Sequence, residues 1–472
     1  MGQNGRVTSA YLEVVVTTQR SLQVPEGIIQ GVRPLTLHGG RARPVLVPQL
    51  WAAGRKNSIA IWLSLIGLII PAADALLYIG GAKFTAGKFC IALLVLPACV
   101  AFCGRSGKLV LSDALACATG VWIVLAASLA DGSNTMSSAV SECLEFFGSY
   151  VIARAFIFGP VALHEFVRIL KILAFVALLF AIVENISGRL IVHEIVASIF
   201  GTIPPDAQYR NGMVRATATF DHAILYGAFC CFTGTILLYA ESDALKRTVY
   251  VGLCFIGCIL SWSSSALLSL TIVMAVYCYD RVMQQYPWRW SLFWAAALLP
   301  ILSMSAASEN PIGWFLSHLT LEPESGYFRL MIWHAAYERL SESPWIGYGF
   351  NLLNSDILDA TVDSVWLVMA LRFGLPMVAL LLLSILATCL PVGGKVRGVD
   401  ATMERLATAF TIVLATFIFI GITVHLWNYM WIFLGLCIGV RASLREWSIK
   451  SIKEVAQQRR ALGLARAAGV GR

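Results

Sequence analysis

Charge is scarce in this 472-residue chain: 13% of residues are Asp, Glu, Lys or Arg, against 58% hydrophobic. That is about half the charged share of an ordinary soluble domain, and it excludes a protein built for water. Strict polar/apolar alternation is missing as well. The apolar residues run on continuously, and in hydrocarbon, where backbone groups must bond internally, such runs span as helices rather than as a closed barrel. Metal-ligand patterns are also absent. The twelve cysteines are scattered through apolar runs, as at Cys90, Cys117, Cys254, Cys258 and Cys389, with no CxxC pair and no Cys/His cluster. A thiol in that setting packs as a small apolar group. Near Met1 there is no short hydrophobic core with a small-residue cleavage site, so the opening segment does not read as a signal peptide. Long, polar and rich in Gly, Pro and Arg, residues 1–50 are expected to be disordered, or an over-extended start.

What the chain does have is apolar runs of spanning length, at about 59–79, 88–103, 109–130, 138–158, 166–186, 219–240, 248–262, 264–280, 290–307, 363–390, 406–424 and 426–440. The expected fold class is an all-α polytopic membrane protein of about twelve transmembrane helices, with a large loop, 308–362, between helices 9 and 10. The net charge of +8 is uneven: residues 1–57 hold seven Lys and Arg against two Glu, and residues 441–472 eight against two. Basic flanks mark the cytoplasmic side of a membrane rather than a nucleic-acid site. With the N-terminus inside, every even-numbered connection is basic: Arg105 and Lys108; Arg154, Arg168 and Lys171; Lys246 and Arg247; Arg281 and Arg289; Lys395, Arg397 and Arg405. Both termini are therefore expected in the cytoplasm. The three regions are a basic N-terminus (1–57), a membrane domain (58–440) and a basic tail (441–472).

The opposite side is poor in Lys and Arg, so its few cations draw attention. Segment 187–218 holds a short amphipathic stretch broken at Pro204-Pro205, expected to lie along the membrane surface, and leads through Arg210-Asn-Gly-Met-Val-Arg215 to Phe220-Asp221-His222. A guanidinium at the head of a helix suits a diphosphate, because it is always charged and presents a planar fork to oxygens. Snorkelling to lipid headgroups explains Arg210 or Arg215 equally well. The long loop carries an apolar helical pattern (Phe328, Ile332, Ala335, Ala336, Leu340) with Arg329, His334, Glu338 and Arg339 upon it. His334 and Glu338, four apart, share a face and could supply a general base, or simply a solvated face. Beyond Ser343-Pro-Trp-Ile-Gly347-Tyr-Gly349-Phe-Asn351 stands Asp363-Ser364 at the mouth of the next span, with Arg372 deeper in it. An ionisable group there is either functional or a helix cap.

Three patterns in this order, Arg-x-x-x-x-Phe-Asp-His (215–222), Arg-x-x-x-Trp-x-x-Ala followed by Ser-Pro-Trp-Ile-Gly-Tyr-Gly-x-Asn (329–351), and Asp-Ser-x-x-Leu-x-x-x-Leu-x-x-Gly-Leu (363–375), resemble the O-antigen ligase and O-antigen polymerase superfamily over roughly residues 59–440. The resemblance implies a GT-C-like glycosyltransferase of the bacterial inner membrane, working on the periplasmic face without metal, nucleotide sugar or other cofactor. Its donor would be a glycan on undecaprenyl diphosphate, its surroundings membrane lipids, and its partners the chain-length regulator and flippase of the same pathway; nucleic acid has no part. By position, Arg215 with Arg210, and Arg329 with Arg339, would bind substrate, and Asp363 or His334 would be the catalytic base. Ligases of this superfamily carry a His where this chain has Asp363-Ser364, which favours a polymerase of exopolysaccharide or O-antigen over a ligase acting on lipid A core. A transporter or flippase is the alternative from another class, since Asp74, Asp113, Glu142, Glu145 and Glu184 fall in or beside spans.

Overall fold

The computed structural model describes residues 57–72, 74–79, 82–104, 109–132, 135–289, 323–351, 353, 355–390 and 401–467, with scattered positions between 291 and 303. All lie in one compact unit, Ala52–Arg472. The expected disordered segment 1–50, most of run 290–307 and the first part of the long loop fall outside the described residues.

Helix α1 (Ser58–Ile66) turns at Gly67 and gives way to an antiparallel hairpin of β1 (Leu76–Ile79) and β2 (Ala82–Thr85). The apolar run 59–79 is thus not one continuous helix. Pro71 has no N–H with which to continue a helix, and the turn is tied instead to Tyr429, whose hydroxyl accepts from the Ala72 N–H and lies 3.0 Å from the Ile70 carbonyl. There follow α2 (Ala86–Gly104), α3 (Leu111–Asp131), and a helix that starts as α4 (Met136–Cys143), passes through a π-helical turn at Leu144–Gly148 and continues as α5 (Ser149–Phe156). Helix α6 (Pro160–Ser187) has Pro at its first position, where no N–H is needed, and stops on left-handed Gly188. After α7 (Ile191–Phe200) comes a short hairpin, β3 (Tyr209–Arg210) with β4 (Met213–Val214). Then come α8 (Ala223–Ala240), α9 (Ala244–Leu260) and α10 (Ser264–Val282). Beyond the long connection lie α11 (Pro323–Glu342), α12 (Asp356–Ala360), α13 (Val365–Cys389), α14 (Ala401–Thr423) and α15 (Tyr429–Ala467).

Seven of these helices, α2, α3, α6, α8, α10, α13 and α14, are long and apolar enough to cross a membrane. Their exposed faces are apolar, the reverse of a helix in a soluble protein: α2 leaves Phe89, Leu93, Leu96 and Val100 open, at helical spacing. Helix α8 is the central element, 89% of its apolar window being buried, against 22% for α2. The basic tail continues as helix, since α15 runs unbroken from the core to Ala467.

At the end of the bundle where α3 starts and α5 stops, three charges are locked together. Arg154 donates from Nε to Asp113 Oδ1 at 2.7 Å and from Nη2 to Oδ2 at 3.1 Å, while its Nη1 reaches Glu446 Oε2 at 2.9 Å. Tyr150 adds a hydroxyl to Asp113, and Lys450 pairs with Glu446 at 2.8 Å. This network fastens α15 to α3 and α5 below the solvent surface. Removing one partner of a buried ion network strands the others and costs about 3–5 kcal/mol. Arg154→Ala is accordingly expected to lower the apparent Tm of the purified protein sharply; a melting curve like that of wild type would contradict the role given to this network.

Candidate functional site

The candidate site stands at the opposite end, where α3 and α6 stop and α8 and α13 start, and it is built around a break in α13. Gly374 adopts φ +77° and Pro376 lacks an N–H, so the helix cannot bond through this turn. The freed groups are taken up from elsewhere. Tyr348 N–H donates to the Leu371 carbonyl at 2.7 Å, Gly349 N–H to Arg372 at 2.9 Å and the Trp122 indole to Phe373 at 2.8 Å, while Leu375 N–H donates to Pro344 at 2.8 Å. This is why the loop reads Ser-Pro-Trp-Ile-Gly-Tyr-Gly. A Cβ on Gly347 would fall 2.5 Å from the Leu371 carbonyl, and one on Gly349 would strike Asp131. Asp131, ending α3, accepts the Phe350 N–H at 2.8 Å and the Asn351 amide. The loop is thereby sewn to two helices, and α11, which leads into it, packs Ile332 and Ala336 against Leu367, Leu371 and Leu358.

That packing turns Arg329 inward, on the same face as Ile332 and Ala336. Its Nε lies 3.7 Å from Asp363 Oδ2, and the side chain is only 16% exposed. Nε makes no hydrogen bond among the described residues. Burial pulls the Arg329 pKa below its usual value; Asp363 opposes that, and nearby Arg210 reinforces it. Arg329 and Asp363, from separate segments, are therefore brought together, with Arg210 within electrostatic range and donating from Nη1 to the Trp262 carbonyl at 2.9 Å. Asp363 is not the cap of α13, since Ser364 occupies that position. Its Oδ1 accepts from the Thr361 hydroxyl at 3.1 Å.

Arg215 sits beyond the hairpin, its N–H donating to the Gln208 carbonyl at 2.8 Å. Glu184, buried near the end of α6, accepts the N–H groups of Thr217 and Ala218 at 2.9 and 2.8 Å and so pins the strand that carries Arg215. Next along, Asp221 accepts from Asn428 Nδ2 at 2.8 Å and lies 3.1 Å from the Tyr429 hydroxyl, and His222 Nδ1 caps α8 by accepting from Ile224 N–H. The His222, Trp427 and His425 rings follow one another at 5.8 and 5.4 Å. Arg215 lies within electrostatic range of His222, and Arg372 within range of His425, so the row joins two cations. Burial first, and Arg372 second, hold His425 neutral, with its pKa pulled down to about 3.

The remaining candidates lie apart. His334 is 80% exposed and pairs with Glu338 at 3.5 Å. Five residues on from Arg329 it is turned roughly 140° around the helix, so it does not reach the Arg329–Asp363 pair. Arg339 pairs with Glu342 at 2.9 Å, beside Tyr348, and supports the loop. Three features escaped the sequence reading. The Asn211-Gly212 dipeptide, with both φ positive, is a hairpin signal that was available. A buried Asp74–His193 pair at 2.5 Å, with His193 Nε2 3.1 Å from the Phe220 carbonyl, joins segments too distant for any spacing rule. The third is a cavity of about 190 Å³ lined by Lys88, Glu142, Glu145, Arg372, His425 and Trp427, among others. No group of three or more His, Cys, Asp or Glu suited to a metal occurs among the described residues.

A side chain at Gly374 would strain a left-handed backbone, by about 1–3 kcal/mol, and would collide with the Trp345 carbonyl. Gly374→Ala should loosen the loop, so that limited proteolysis cuts near Trp345 faster than in wild type; equal cleavage rates would argue against the docking described. Neither a protein-family model nor a curated protein matches this chain.

Proposed function

We propose that the chain is a membrane glycosyltransferase that polymerises undecaprenyl-diphosphate-linked repeat units into a surface polysaccharide, exopolysaccharide or O-antigen. The observation that carries this reading is the largely buried Arg329, its Nε without a hydrogen bond among the described residues, with Asp363 and Arg210 nearby. Asp363 stands 3.7 Å from that Nε, so a diphosphate would supply the acceptor oxygens that this buried guanidinium lacks. In the reaction, an acceptor hydroxyl attacks the anomeric carbon of the donor sugar. The bond from that carbon to the diphosphate breaks, the arginines take the charge that develops on the leaving group, and the hydroxyl proton passes to Asp363.

The membrane arrangement that goes with this is twelve spans in a bacterial inner membrane, with both termini cytoplasmic. Two facts support it. The candidate site gathers helix ends from one side, while Arg154, Lys171, Arg247 and the basic length of α15 belong to the other. In addition, the run Met136–Phe156 and the 17-residue α9 are helical next to the seven longer apolar helices. Asp363-Ser364, in place of a His, keeps the preference for polymerase over ligase. The broken α13 favours a second reading, since interrupted spans are used by transporters. Chain growth by detergent-purified protein, where no compartments exist, separates the two.

Arg329→Ala and Arg210→Ala are each expected to lower polymerisation about 10²–10³-fold, leaving single repeat units in place of the ladder of chain lengths. Asp363→Asn should cost about 10²–10⁴-fold with the protein still inserted. Wild-type ladders in all three variants would refute the assignment.

A further inference from the structure

The cavity beside His425 differs in kind from the arginine cluster. Its cations are matched by carboxylates: Lys88 stands 3.3 Å from Glu145 and Arg372 3.7 Å from Glu142. Each cation of the lining thus stands beside a carboxylate, an arrangement that does not favour an anion. Aromatic surface forms much of the remaining wall, from Phe350, Trp427 and Trp431. Phe350 lies over the Arg372 guanidinium at 5.0 Å, which holds that cation at the rim. Ser141, more than nine-tenths buried, is another lining residue, and its Oγ has no hydrogen-bond partner among the described residues. A buried hydroxyl left unbonded is costly. At about 30 Å³ per water, the space would hold roughly six waters, or a small polar group in their stead.

Donors, acceptors and flat apolar faces, balanced in charge, match a ligand that is neutral and dense in hydroxyl groups. We infer that this cavity is a saccharide subsite, which on the glycosyltransferase reading, on which this inference rests, receives the acceptor end of the glycan. Carboxylates accept from sugar hydroxyls, Lys88 and Arg372 donate to them, and the indole rings cover the ring face. Its position fits. The end of α14 and the segment that joins it to α15 line both places, Ile422 and Thr423 facing Arg329 and Asp363, and His425, Trp427 and Asn428 facing the cavity. A sugar held there shares a wall with the diphosphate site without competing for its arginines.

The test uses the full chain in lipid nanodiscs and two probes: the oligosaccharide released by mild acid from the producing strain's own surface polysaccharide, and undecaprenyl diphosphate. Binding is read by tryptophan fluorescence and calorimetry. Ser141→Leu, which fills the space without touching an ion pair, and Glu142→Gln should each weaken the oligosaccharide by about tenfold or more while undecaprenyl diphosphate binds as to wild type. Arg329→Ala should do the reverse. Inorganic diphosphate should displace undecaprenyl diphosphate but not the oligosaccharide. If a variant loses both probes, Ser138→Leu, at an exposed position of the same wall, decides in its place. Oligosaccharide binding that survives these substitutions, that is displaced by inorganic diphosphate, or that is missing from wild type overturns the subsite. Loss of undecaprenyl diphosphate binding from wild type would instead overturn the glycosyltransferase reading beneath it.

Discussion

A helix interrupted in apolar surroundings has to find partners for the backbone groups it releases, because no water is there to take them. In α13 that obligation falls at Leu371, Arg372, Phe373 and Leu375, and the Ser343–Gly349 loop meets most of it with its own backbone. Much of the candidate site follows from this. The docked loop fixes where α11 ends, α11 in turn presents Arg329 to Asp363, and the break leaves Arg372 near His425 and the cavity. Gly347 and Gly374 are there because backbone passes backbone too closely for a side chain, and Gly349 because it lies against the Asp131 carboxylate, all three at positive φ.

The scarce charges are divided between two tasks. At one end Arg154, Asp113 and Glu446 satisfy each other almost completely, which stabilises the association of helices but leaves nothing to offer a ligand. At the other end the pairing is looser and uneven. Arg329 faces one carboxylate at 3.7 Å with a second guanidinium close by, a poor arrangement for stability alone and a suitable one for an anionic partner. Between these extremes lies the cavity, whose pairs cancel in charge yet leave Arg372 about one third exposed.

The helical membrane class was legible in the sequence because it depends on a local property, the length of apolar runs, and α3, α6 and α8 follow those runs closely. Where local and tertiary demands differed, the reading failed in specific ways. The run 59–79 has the hydropathy of one long helix, but its helix stops at Ile66, and Pro71 and the grip of Tyr429 continue it as a turn and hairpin. Arg329, on the loop helix, and Asp363, at the mouth of α13, were singled out in separate patterns, and the structure sets them face to face. His334 had a partner at the right spacing, and it has that partner, on a face turned away from the site.

The amino-acid order by itself determined that the chain belongs in lipid, where its cations concentrate, and that loop 308–362 and the segment before α8 are the places rich in polar chemistry. Those are sums over neighbours in sequence, and water-to-lipid transfer acts on them directly. Only the tertiary structure decided which cations share a neighbourhood. Arg210 and Arg329, Lys88 and Glu145, and Asp74 and His193 meet because helices bring distant turns together, and charge interactions fall off over distances that sequence spacing does not measure.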